Sequence, residues 1–407
     1  MGDTVRSPLR ARTARVMALG AALALVPTGA AVAEPKQTAT RISVGYDGSQ
    51  ADGSSNAPSV SDDGRFFVYS SNATNLVPGD TNNLLDIFRY DRGTGVTELV
   101  TRGVGGVAAN GRSTDERISA DGRYVTFSSE ASNLVPDDTD GEANVFVWDV
   151  GSKTITRLPG ARSLWPDVSA DGRYVTYSTY AALVPGDTDD RIDVYLHDRE
   201  TGATDLVTRR SDGTASGGYE SVISDDGRYV AFQGSGGARL FDRETGTSTA
   251  ITGRASSLAI SGDGAFVTFT SYTSLVPGDT NTDADVYLWE RRTGEFTAVS
   301  VTPDGHTPDA FSTESRINRD GRYVTFWSTA TNLSGTDAGG WQTQAYRYDR
   351  QSARNTLITV PVKGDDGGAE GADLSADGTV IGFMSLGEDL VADDTNGERD
   401  VFVTVLP

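Results

Sequence analysis

Five stretches of this chain place oxygen-bearing side chains at one spacing: LVPGDTNNLLD, LVPDDTDGEAN, LVPGDTDDRID, LVPGDTNTDAD and LVADDTNGERD. Positions one, three and seven of the acidic core are Asp80, Asn82 and Asp86; Asp138, Asp140 and Asn144; Asp187, Asp189 and Asp193; Asp279, Asn281 and Asp285; and Asp394, Asn396 and Asp400. Carboxylates and amide carbonyls alternating on a short loop are ligands for a hard cation, because Ca²⁺ collects about six to eight oxygens from such groups, backbone and water. The loops are therefore candidate calcium sites. They depart from the helix-loop-helix calcium pattern, with no flanking helix and no Glu at position twelve. Asp and Asn also hold turns by accepting backbone N–H bonds, so the same residues serve equally well as loop staples.

A second set of candidates precedes each repeated Asp-Gly. Two residues before the repeated Ser or Asn stand Ser59, Arg117, Asp167, Val222, Ala259, Arg316 and Asp373. Four before it stand Ala57, Asp115, Trp165, Glu220, Ser257, Glu314 and Gly371. If this segment is the innermost strand of a ring, these variable side chains face a central channel. Arg117, Asp167, Glu220, Glu314 and Arg316 would then orient a ligand, with Trp165 as an apolar platform. The alternative is a wet channel in which opposite charges satisfy one another.

Other chemistry is scarce. The chain has two histidines, His197 and His306, and no cysteine, so neither a histidine metal site nor a thiol nucleophile can be built. No G-x-S-x-G elbow is present. The expectation is a non-catalytic binding protein. The rival is a carbohydrate-active enzyme using axial carboxylates such as Glu220 with Glu314.

The elements that position these groups follow from the repeat. Asp-Gly recurs in one context, as SDDGRFFVYS, SADGRYVTFS, SADGRYVTYS, SDDGRYVAFQ, SGDGAFVTFT, NRDGRYVTFW and SADGTVIGFM. Asp-Gly between β-rich runs is a hairpin, because the tight turn needs positive φ. A third apolar run follows in each unit (DIFRYDR, NVFVWDV, DVYLHDR, ARLFDR, DVYLWER, QAYRYDR, DVFVTVL), and in the first six units a Thr- and Val-rich fourth. Four strands per unit make a propeller blade. The seventh unit ends after its third strand, and TATRISVG at 38–45 has the fourth-strand pattern. The expected fold is an all-β, seven-bladed β-propeller of four antiparallel strands per blade, with its last blade closed by the N-terminal strand. The acidic loop is absent from the fourth unit and degenerates in the sixth to LSGTDAGGWQTQ, where Trp341 either packs or marks a partner site.

These units resemble the WD40-like repeats of TolB-type propellers, in which Ser, a variable residue, Asp-Gly and a strand recur once per blade. The resemblance spans residues 38–407 and implies a scaffold used mostly for binding. TolB's α/β domain has no room before the first strand here, so its role in an envelope complex is not implied. Polyuronate lyases on this scaffold rely on a histidine-rich metal site, which this sequence lacks. The sialidase repeat S-x-D-x-G-x-T-W is also missing.

Composition sets the compartment and the partners. Arg6, Arg10, Arg12 and Arg15 precede an apolar run from Val16 to Val26, and Ala31-Val32-Ala33 supplies small residues for cleavage. Residues 1–33 read as a signal peptide and 34–407 as one propeller domain, secreted or periplasmic after cleavage near Ala33. No other segment approaches the ~20 apolar residues of a spanning helix. The net charge of −22 disfavours nucleic acid and anionic lipid, leaving a protein or cell-envelope glycan as the expected partner of a monomer.

Overall fold

In the computed structural model, which describes residues 1–2, 39–335, 343–358 and 368–406, the chain forms seven four-stranded antiparallel sheets. Residues 3–38, which hold most of the expected signal peptide, and Trp341 lie outside the described residues. The inner strands, which number the blades in chain order, are Ser55–Val60, Ser113–Ile118, Ser163–Val168, Gly218–Ile223, Ser256–Ile260, Ser312–Ile317 and Glu370–Leu374. Each sheet runs from its inner strand outward in sequence order, except the last.

There the third strand, Asp400–Val405, pairs with Thr40–Arg41 from the other end of the chain. The ring is thus closed as the strand arithmetic expects, although the closing strand is shorter than 38–45. Its ladder holds Thr40 against Val403 and Arg41 against Phe402, continued by Ile42 N–H donating to the Val401 carbonyl at 2.9 Å. In blade 4 the acidic loop is replaced by a tight connection pairing Gly234 with Gly237.

The core lies between blades. Seven apolar clusters are found among the described residues, and each spans two neighbouring sheets, as Val68 and Ile87 of blade 1 pack with Phe127 and Phe146 of blade 2. Much of the repeated sequence serves these seams. The hairpin glycine has φ between +63° and +73°, and a Cβ there would strike an aromatic ring of the preceding blade in six of seven cases, Tyr124 for Gly172 and Tyr174 for Gly227. Arg243 lies over that same Tyr174 ring and donates from Nε to the Gly227 carbonyl at 2.9 Å. Within blades, the arginine after the hairpin straps the end of the third strand, as Arg173 does to Asp198. The repeated Asp-Gly-Arg and Asp-Arg pairs are thus seam and strap chemistry.

Candidate functional site

Every inner strand carries a β-bulge, with the register shift falling between Thr114 and Arg117, Leu164 and Asp167, or their equivalents. At each bulge one residue is left-handed: Ala57 (φ 48°), Asp115 (60°), Trp165 (53°), Glu220 (52°), Ser257 (54°), Glu314 (52°) and Gly371 (59°). These are the seven variable positions singled out in the sequence. Six are not glycine, and each costs about 1–2 kcal/mol in this conformation. A bulge re-aims side chains. Here six of the seven, all but Gly371, line an axial cavity of about 390 Å³, together with Glu116, Arg117 and Arg316 among others.

The two ends of the axis differ. Because strands alternate direction, the acidic loops and bulges share one face and the Asp-Gly hairpins the other. On the hairpin face Arg319 of blade 6 forms ion pairs with Asp62 of blade 1 and Asp225 of blade 4, reaching across the axis. Backbone bonds between successive hairpins, such as Asp225 to Gly262 and Gly262 to Arg319 at 2.9 Å each, tie this rim further. Only about 160 Å³ remains there. Arg117 and Arg316 border both spaces and so stand at the waist.

The charges at the waist do not pair in the simple way a wet channel suggests. Among the described residues, neither Arg117 nor Arg316 has a carboxylate within ion-pair distance; Arg117 donates to the Glu116 carbonyl at 2.8 Å and Arg316 to the Ser315 carbonyl at 3.0 Å. Burial, with the like charge of Arg117 beside it, lowers the pKa of Arg316. Asp167 is committed elsewhere. Its two oxygens accept the N–H groups of Val168 at 3.0 Å and of Ile223 in the next blade at 2.9 Å, while burial raises its pKa. Asp373 makes the same clasp to Val60 at 2.9 Å. Glu220 lines the cavity with its pKa raised by burial and opposed by Arg316 and Arg117. Glu314 stands exposed at the rim, and Trp165 meets Tyr219 with ring centroids 5.8 Å apart, both rings exposed at the mouth.

Sequence reasoning missed Glu116. Its side chain is fully buried against the cavity, both carboxylate oxygens lack a hydrogen-bond partner, and burial pushes its pKa up to about 7. The signal was in the repeat. The equivalent positions are Pro58, Pro166, Ser221, Leu258, Ser315 and Ala372, so only blade 2 carries charge there.

The acidic loops share a frame. The seventh-position Asp is buried at the start of the third strand, and one of its oxygens accepts a hydroxyl from the connector after the fourth strand: Thr101 to Asp86 and Thr208 to Asp193 at 2.5 Å, Ser300 to Asp285 at 2.8 Å, Ser43 to Asp400 at 2.5 Å. Burial raises Asp86, Asp193 and Asp285 to about 6. The third-position residue also acts as a turn staple, since Asn82, Asp140, Asp189, Asn281 and Asn396 each accept the N–H two residues on. In blade 3, Asp187, Asp189 and Asp193 bring one oxygen each within 4.8 Å of one another, an arrangement compatible with a divalent metal. In blade 2, Arg157 instead contacts Asp140 and donates to Asn144 at 2.7 Å, with Asp138 4.0 Å away. In blade 7, Arg41 lies 3.1 Å from Asp394 and 3.3 Å from Asp400. The two histidines take no part in the axial site. His197 is buried with Nδ1 at 2.9 Å from Thr204 Oγ1, and His306 lies exposed beside Asp304.

No family model and no curated protein matches the chain's sequence. Solved structures do match. An oligogalacturonate lyase in complex with manganese superposes with a TM-score of 0.57 and 14% identity over 91% of this chain and 93% of its own. The β-propeller domain of the trilobed protease from Pyrococcus furiosus, described as having an open velcro topology, gives 0.56 and 12% over 87% and 94%. A protein described as TolB from Agrobacterium tumefaciens gives 0.41 and 21% over 60% and 80%. At these identities the likeness is one of fold. The chain is a seven-bladed β-propeller, closed here by its N-terminal strand.

Proposed function

We propose that the protein is an exported binding scaffold that holds a glycan, or a glycan-like face of a protein partner, in the axial mouth on the loop side. The observation that carries this is the exposed Trp165–Tyr219 pair beside a cavity lined by Arg117 and Arg316, neither of which, among the described residues, has a carboxylate within ion-pair distance. Aromatic faces accept the apolar faces of sugar rings, and the charged groups around the cavity fix orientation. The strained ring supports the same reading, because left-handed residues persist where function needs a side chain aimed. Calcium is the ion we assign to the acidic loops, whose hard oxygen donors would stiffen the rim of this face.

Calorimetric titration of the chain with neutral and uronate-bearing oligosaccharides tests the assignment. Saturable binding without turnover, weakened at least tenfold by Trp165→Ala, is the expected result. No binding, or binding indifferent to Trp165→Ala, overturns it. A second reading is favoured by one observation: Glu116 is a fully buried carboxyl lining the cavity, where burial pushes its pKa up to about 7, the range that suits a general acid. The oligogalacturonate lyase likeness makes uronate polymers the substrates to try. Product formation abolished by Glu116→Gln would establish that reading in place of the first.

A further inference from the structure

We infer that the acidic loops form two kinds of cation site: blades 3 and 5 take a divalent cation from solution, whereas blades 2 and 7 carry a built-in one, the guanidinium of Arg157 or Arg41. The inference rests on the assignment of these loops to cations and says which of them take one. The comparison is internal, because the repeats place equivalent residues in equivalent surroundings. Arg157 pairs across the ladder with Phe146, and Arg41 with Phe402. The same ladder position holds Leu206 opposite Tyr195 in blade 3 and Ala298 opposite Tyr287 in blade 5. Where an arginine is present, it lies among the loop's acidic side chains. Where it is missing, no cationic side chain lies within ion-pair distance of the loop's carboxylates among the described residues.

The buried oxygens point the same way. Asp187 Oδ2 accepts the Tyr195 hydroxyl and Asp193 Oδ1 accepts that of Thr208, so each carboxylate is anchored by one oxygen. The other oxygens, Asp187 Oδ1 and Asp193 Oδ2, are buried without a hydrogen-bond partner, on side chains 5% and 0% exposed. Blade 5 repeats the arrangement. Tyr287 and Ser300 anchor Asp279 and Asp285, leaving Asp279 Oδ1 and Asp285 Oδ2 buried and unpartnered. Carboxylates gathered with no cation and with one buried oxygen each left without a donor repel one another and lose hydration, and a divalent ion removes both costs. Blade 1 is intermediate: the Asn82 amide donates to Asp86 Oδ2 at 2.8 Å and takes up one of the two oxygens that blades 3 and 5 leave open, while the other, Asp80 Oδ1, stays buried without a hydrogen-bond partner.

The test is calorimetry of Ca²⁺ alone into the chelator-treated full chain, with melting temperature followed in parallel. The expected stoichiometry is two ions per chain, falling to one in Asp193→Asn. Ala298→Arg copies the arginine of blades 2 and 7 into blade 5 and is expected to leave one ion as well, while melting without Ca²⁺ no lower than the parent. Arg41→Leu should open blade 7 and raise the count to three. Absence of any bound ion at millimolar Ca²⁺ overturns both the inference and the assignment of calcium to the loops. Ions bound in numbers that ignore Ala298→Arg and Arg41→Leu overturn the inference alone. Should Asp193→Asn fail to fold, the count for Ala298→Arg decides.

Discussion

Truncating the closing segment should weaken the whole ring, and the structure says how much. The closing ladder has only two residue pairs, so backbone pairing is the smaller part of the clasp. Ile42, the next residue, is 1% exposed and packs in the cluster that joins blades 7 and 1, with Phe67, Val380, Val401 and Val403. Replacing a buried Ile by Ala costs about 2–5 kcal/mol. With about 370 residues in one compact unit and an unfolding entropy of about 2.1 cal/mol/K per residue, each kcal/mol shifts the melting temperature by roughly 1.3 °C. Ile42→Ala is therefore expected to melt about 3–6 °C below the parent in a calorimetric scan. Deleting residues 39–45 should cost more, because it also removes Arg41 and Ser43 and leaves the fully buried Asp400 without its cation and its hydroxyl donor. A melting temperature for Ile42→Ala within about 1 °C of the parent would refute this account. So would a deletion no more harmful than that single substitution.

Two further outcomes follow from other parts of the ring. Glu116 has its folded pKa raised from 4.5 to about 7 by burial, so its contribution to stability is fully present below pH 4.5 and is lost as pH rises through 7. The loss amounts to about 3 kcal/mol by pH 9, and Glu116→Gln should remove that slope from denaturant midpoints measured between pH 5 and 9. An unchanged slope in the variant would sink the assignment. Gly172→Ala should destabilise by about 2–5 kcal/mol, since it places a Cβ at φ +73° and against the Tyr124 ring of the preceding blade. Urea unfolding checks it, and a loss below about 1 kcal/mol would mean that the seam yields more easily than its packing implies.

The sequence by itself determined the number of blades, the strand order and the closure, because each of these is written in local patterns that repeat: a turn that needs glycine, alternation on the strands, and a missing last strand. It also marked the seven variable inner positions, which the bulges set around the axial mouth. The tertiary structure alone decided what those positions and the acidic loops can do. Asp167 looks like a free axial charge in the sequence, yet one of its oxygens accepts the N–H of Val168 in its own strand and the other clasps Ile223 of blade 4. Glu116, unremarked among the apolar and small residues at its repeat position, proves to be a buried acid with no partner. Arg41 and Arg157 lie far in sequence from one another and outside the acidic loops themselves, but pairing places both at the same ladder position beside those loops. Strand and turn depend on neighbours along the chain, whereas partnership and burial depend on which groups the closed ring brings together.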